Sequence, residues 1–413
     1  MSRISFAPAR PAPLAGILAL LAAGLAPVPA QALIDLGGSA AAAIERDDNV
    51  YRFAGPSEAV AQRGSAEQAD TVRTLSAGGL AQYEEGLQRI RLDAAFQNYG
   101  YRTFTELNRT EHELGGRYDW RVGIPWSGDL DYHESRQFES FTNRDDVRRG
   151  WLDQARAEAL AGVDITPDWR TQATYADSRR RYTLDTSQGA NLDEKRGRLE
   201  LAYAGQPVGA AGVAVEVAHG TFPRRSAASG LATEYHEVDY LANLRYAPSA
   251  VSILRAEAGY SRRSSDSGAR DFAGPTGRVS YERRESSVLP MTLALFRQLY
   301  PVEESDANFV TRTGADLWAR YGFSAVIGAV LKAKAYRDDY HGTAAVAAGS
   351  TSRRDDVRAF ELGLAYEPVR HFTVQPGLRR ELQKSTLASR SYRDTGVSLT
   401  LEYRYDAAGG SNR

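Results

Sequence analysis

Side chains that could do chemistry are few and scattered along this chain. Its six histidines are His112, His133, His219, His236, His341 and His371, and it has no cysteine. None of the histidines falls in an H-E-x-x-H or a Cys2His2 pattern, and without thiols there is no disulfide framework and no cysteine nucleophile. His133, Glu134 and Ser135 bring a base, an acid and a hydroxyl together in sequence, as an outer-membrane hydrolase would need. A serine triad is defined by geometry, however, and spacing alone does not establish one. Asp47, Asp48 and Asn49 offer oxygen ligands for a divalent cation but lack the periodic loop of a calcium hand, so they read as a solvated strand end. Asp338-Asp339 with His341, and Asp355-Asp356, read as loop tips. There is no G-x-S-x-G and no phosphate-binding glycine loop. No catalytic, cofactor or metal site is expected.

The cations are more telling, because they recur with a period of two. Arg89, Arg91, Arg117, Arg121, Arg156, Arg196, Arg198, Arg245, Arg255, Arg278, Arg312, Lys332, Lys334, Arg379 and Arg404 alternate with apolar residues. Arg170 and Arg284 are less regular members of the set. Acids such as Asp93, Glu113, Glu158, Glu200, Glu237, Glu257, Glu282, Asp316 and Glu402 interleave with them. On a wall around water, such rings of charge select permeants by sign, and arginine can grip a sugar carboxylate with two hydrogen bonds. Self-neutralising Arg–Glu ladders that stiffen the wall are an equal alternative.

Such a wall has to be built from strands. Residues 396–405 read G-V-S-L-T-L-E-Y-R-Y, with Val397, Leu399, Leu401, Tyr403 and Tyr405 on one side and Ser398, Thr400, Glu402 and Arg404 on the other. Strand side chains alternate between faces, so this segment has one apolar and one charged face. The pattern recurs from Leu75 onward. Residues 155–161 (A-R-A-E-A-L-A) suit a helix by propensity, but their strict alternation predicts a strand. Short joints are expected at 84–86, 125–128, 166–168, 205–209, 247–250, 320–322 and 367–370. Longer polar connections, such as 47–69, 101–110, 261–274, 339–355 and 384–394, lie between them. Tight turns at one end and long loops at the other describe a transmembrane barrel. The fold class expected is all-β, an antiparallel transmembrane β-barrel of about 18 strands with short periplasmic turns and longer extracellular loops. Tyr83, Trp120, Trp169, Tyr203, Tyr246, Tyr321, Tyr366, Tyr403 and Tyr405 fall beside the short joints or the last strand's end, where a periplasmic aromatic girdle would sit. A soluble sandwich would bury its apolar rows face to face instead. A wide barrel turns them to lipid and leaves a wet lumen for the charges.

Composition agrees. The chain has 413 residues, 25% of them charged and 42% hydrophobic, with a net charge of −1. A mean hydropathy of −0.45 excludes a bundle of membrane helices, and the near-zero net charge argues for no nucleic-acid partner. Arg3 and Arg10 precede an apolar run and then small residues near Ala32, the layout of a secretory signal peptide. The expected organisation is a signal peptide at 1–32, an outer-membrane barrel at 33–405 and a periplasmic tail at 406–413. The expected location is the outer membrane of a Gram-negative bacterium.

Residues 44–52, I-E-R-D-D-N-V-Y-R, resemble the first strand and loop of the β-barrel porin family that includes EpsL-type proteins, which are encoded with exopolysaccharide biosynthesis systems. The resemblance spans the mature chain and implies an outer-membrane barrel that assists production or export of an exopolysaccharide. Implied partners are outer-membrane lipid, the barrel-insertion machinery, and an exopolysaccharide with its periplasmic export components. It implies no catalytic residue. One departure is the tail beyond Tyr405, where such barrels commonly end on an aromatic residue. A general diffusion porin is the alternative, and an outer-membrane hydrolase a remoter one.

Overall fold

A computed structural model describes residues 33–406 apart from 144–145, 207–208, 227–228, 267–270, 285–288, 302–306 and 343–352. The proposed signal peptide and all of the C-terminal tail beyond Asp406 lie outside the described residues. The strands in chain order are β1 (Leu33–Asp47), β2 (Asp70–Glu85), β3 (Gln88–Tyr101), β4 (Arg109–Val122), β5 (Trp126–Phe138), β6 (Trp151–Asp164), β7 (Trp169–Tyr182), β8 (Leu192–Gln206) and β9 (Gly209–Thr221). They continue as β10 (Glu234–Ser249), β11 (Ser252–Ser265), β12 (Phe272–Arg283), β13 (Met291–Pro301), β14 (Phe309–Gly322), β15 (Ile327–His341), β16 (Arg354–Val369), β17 (Phe372–Ser385) and β18 (Tyr392–Asp406). Each strand pairs antiparallel with its sequence neighbours, and β18 pairs with β1, closing an 18-stranded sheet on itself. Closure leaves no unpaired edge, the condition for strands to cross a bilayer.

The 155–161 segment lies inside β6, so cross-strand pairing overrides its helical propensity. The joints expected at 84–86, 247–250, 320–322 and 367–370 fall later, at 86–87, 250–251, 323–326 and 370–371, while 125–128 falls earlier, at 123–125, and 166–168 holds at 165–168; the 205–209 joint lies partly outside the described residues. Two of the displacements have a clear cause. Pro248 and Pro368 looked like turn residues, but each sits in a register break near a strand end, between Tyr246 and Ser249 and between Tyr366 and Val369. A proline has no N–H for the ladder, so the strand bulges there and then resumes.

The 48–69 connection, expected to be plain loop, contains a helix, α1 (Pro56–Arg63). Its local code is readable: proline in the first turn, Glu58 early, Arg63 late, and Gly64 beyond the end with φ of 72°. A left-handed closing residue of that kind favours glycine.

Among the described residues, single buried apolar side chains such as Ile253 and Ala294 lie along the wall, but the clusters of them form at the long-loop end. The largest cluster joins Val50, Tyr51, Phe53, Ala59, Phe104, Leu107 and Phe141 from the first three long loops. Smaller ones form around Tyr340 with Val310, and around Phe222 with Tyr235.

Candidate pore and loop latch

Register fixes which side chains share a face, because directly paired residues point the same way. One face carries Leu75, Leu92, Leu199, Val215, Leu295, Leu364 and Leu399, all exposed although large and apolar. Rows of this kind continue round the closed sheet. Soluble monomers rarely expose apolar patches beyond a few hundred Å², whereas a lipid-facing belt must. The nine aromatics expected near the short turns occupy this same face at the turn end. Trp169 and Tyr203 are register partners with ring centroids 5.1 Å apart. The chain is an outer-membrane β-barrel.

The opposite face is the concave one. Arg198 on β8 reaches Glu257 on β11 at 2.9 Å, passing over β9 and β10, a contact available only from inside a cylinder. Every cation of the fifteen set out above has the parity of this inner face: Arg89 and Arg91 on β3, Arg117 and Arg121 on β4, Arg156 on β6, Arg196 and Arg198 on β8, Arg245 on β10. Arg255, Arg278, Arg312, Lys332 with Lys334, Arg379 and Arg404 continue it from β11 to β18. Arg284 lies past the end of β12, in a turn rather than on the wall. Among the described residues, all fifteen except Arg121, Arg245 and Lys334 have a carboxylate within 3.8 Å.

Two arginine hubs stand half-way round the circle from each other. On one side Arg196 is ion-paired to Glu194 at 3.2 Å and to Glu216, with Glu237 at 3.6 Å and Asp239 at 3.8 Å. On the other, Arg379 on β17 bonds Glu45 at 2.7 Å and Asp47 at 3.1 Å on β1, and Asp394 on β18. Gly396, also inward, makes room here: a Cβ on it would press on the Glu45 carboxylate and lie 3.1 Å from the Arg379 guanidinium.

The Arg379 hub holds a loop. Arg52 reaches back from the β1–β2 connection to Asp47 at 3.3 Å and Asp394 at 3.1 Å, and donates to the Asn49 carbonyl. Burial works against its charge, but the Asp47 and Asp394 carboxylates prevail and hold its pKa above the ordinary guanidinium value. Its φ is 60°, unusual for a residue with a side chain. Buried Asn49 accepts from the Phe53 N–H at 3.0 Å and donates to the Phe53 and Arg393 carbonyls at 2.8 and 2.9 Å. Tyr51 packs against Phe104 and Phe141 and donates to Glu106 at 2.7 Å. Burial first, and that acceptor second, raise its phenol pKa. Arg63 at the end of α1 covers the Tyr51 and Phe104 rings at 4.4 and 4.1 Å.

Asp47 and Asn49 are not a solvated strand end: both are buried, and only Asp48 is exposed. Oxygens of Asp47, Asp48 and Asp394 lie within 4.8 Å of one another, but the Arg52 and Arg379 guanidinium groups already bind two of these carboxylates. Asp338, Asp339 and His341 belong to β15, and Asp355 and Asp356 to β16, so these are strand residues rather than loop tips. Their charge is absorbed laterally, as in Arg312–Asp338 at 2.7 Å and Arg353–Asp355 at 2.6 Å. His133 meets Glu113 at 3.5 Å, while the Ser135 hydroxyl is buried without a hydrogen-bond partner, so no Ser–His pair forms.

No protein-family model and no curated protein matches the sequence. Among solved structures, the outer membrane protein opdK from Pseudomonas aeruginosa aligns over 90% of this chain and 99% of its own, at 12% identity and a TM-score of 0.44. Acinetobacter baumannii OccAB2 aligns over 91% and 98%, at 12% identity and 0.47. Pseudomonas aeruginosa OccK9 (OpdG) aligns over 90% and 98%, at 10% identity and 0.46.

Proposed function

We propose that the barrel is a water-filled diffusion pore for small hydrophilic solutes. Its support is the inner face: a closed 18-stranded circle, of a size that leaves an aqueous channel, lined by arginines and acids that need water around them. Most of the wall charge is cancelled by lateral pairs, which argues for weak selectivity by sign. The nine turn-end aromatics act as the periplasmic girdle. Residues 1–32 act as a signal peptide removed on export.

Purified barrel in a planar bilayer is the test. The expected result is stepwise conductance with a reversal potential near zero in a salt gradient. Bare-lipid conductance from correctly folded protein would refute the pore. A role in exopolysaccharide export is a second reading, supported only by the resemblance of residues 44–52. It requires that deletion strains lose surface polysaccharide; unchanged polysaccharide would remove it.

A further inference from the structure

The outward face has a cationic patch that neither the pore nor the latch uses. On β17, Leu382 is register partner to Arg358 on β16 and to Arg393 on β18. Arg380 and Lys384 lie two residues to either side of Leu382 on the same face of β17. Four cations therefore surround one leucine. Strand spacing puts the backbones of Arg358 and Arg393 about 10 Å apart, and those of Arg380 and Lys384 about 13 Å apart. All four are exposed, and none has an ion-pair partner among the described residues. The acid nearest in register, Asp356, is taken by Arg337 at 2.8 Å. Toward the turn end the same strands present Phe360, Leu362, Leu378, Val397 and Leu399, the apolar belt. The patch thus sits at the long-loop rim of that belt, at the level of outer-leaflet headgroups. Like charges this close repel unless an anion lies among them, and among the described residues the one carboxylate beside them, Asp356 opposite Lys384, is already paired with Arg337.

We infer that this patch binds a phosphorylated glycolipid of the outer leaflet, its phosphates among Arg358, Arg380, Lys384 and Arg393 and its acyl chains on the belt below. Two phosphates on one headgroup match a site of this width, and arginine forks suit phosphate oxygens. The inference rests on the barrel's place in the outer membrane and is independent of what passes through the pore.

Full-length mature barrel in nanodiscs would be titrated with bisphosphorylated lipid A, dephosphorylated lipid A and phosphatidylglycerol. Wild type should prefer the bisphosphorylated lipid by at least tenfold over both others. Each juxtamembrane cation near an anionic surface is worth about fivefold in affinity. The Arg358→Gln/Arg380→Gln/Arg393→Gln variant should therefore lose about 100-fold, with conductance and heat-modifiable gel mobility retained. Should that variant fail to fold, Arg358→Gln/Arg393→Gln reads the same loss at about 25-fold. Equal binding of phosphatidylglycerol, equal binding of the dephosphorylated lipid, or unchanged affinity in a folded variant would each overturn the inference.

Discussion

Replacing Arg52 by alanine should release the β1–β2 loop from the barrel mouth. Arg52 bonds two carboxylates, one of them, Asp394, fully buried, and it caps the Asn49 carbonyl. Removing one member of a buried ion pair costs about 3–5 kcal/mol when the other is left bare. Here Arg379 still holds both Asp47 and Asp394, so the loss is nearer two charge-assisted hydrogen bonds at their weaker end, about 3 kcal/mol. At 1.4 kcal/mol per decade, the open loop should become about 150 times more populated. Trypsin cleavage after Arg63 reports that population, because Arg63 is held against Tyr51, Phe104 and Glu106 while the loop is closed. When reclosing outpaces cleavage, the rate follows the opening equilibrium. Intact cells or nanodiscs exposing the loop end should show this acceleration. Arg52→Gly is an internal control: glycine accepts the φ of 60° at no steric cost, so it should open the loop about fivefold less than alanine does. A cleavage rate for Arg52→Ala within threefold of wild type would show that the ion pairs do not hold the loop.

Three further outcomes follow from the same geometry. Tyr51 has its phenol pKa raised in the folded loop, so its contribution to closure is complete below the unfolded value of about 10 and is lost as pH climbs through the higher folded value. Tyr51→Phe should abolish this alkaline opening, and a wild-type-minus-variant tyrosinate absorbance titration should show one phenol ionising late; a midpoint at or below about 10 would contradict the burial argument. Leu399→Arg, on the belt, should destabilise the barrel in lipid vesicles by about 2–4 kcal/mol, while Thr400→Arg on the inner face should cost far less; equal costs in denaturant titrations would speak against a lipid-facing belt. Gly396→Ala should push Glu45 away from Arg379, loosening the same latch, with trypsin cleavage at Arg63 faster than wild type but slower than in Arg52→Ala.

Period-two patterning was legible because every strand has one face in lipid and the other in water. A slip of one residue would turn the whole charged row outward, so the sequence has to mark the faces strongly. The parity of Val397, Leu399 and Leu401, the aromatics beside the turns, and even the ambiguous 155–161 segment follow from that constraint. The latch was far less legible. Residues 44–52 contain Glu45, Asp47, Asn49 and Arg52, which read locally as a polar strand end. Their partners Arg379 and Asp394 lie more than three hundred positions away in sequence and become neighbours only when β18 closes on β1.

Sequence alone determined the wall: strand content, an approximate strand number, and which side chains share a face. These depend on local alternation against two solvents, and each segment carries that information by itself. Tertiary structure alone decided what the wall's charges do. Which arginines are cancelled, where the two hubs stand, how Arg52 ties a loop into the mouth and how four cations gather around Leu382 all depend on cross-strand register. Register belongs to the closed sheet and to no single strand within it.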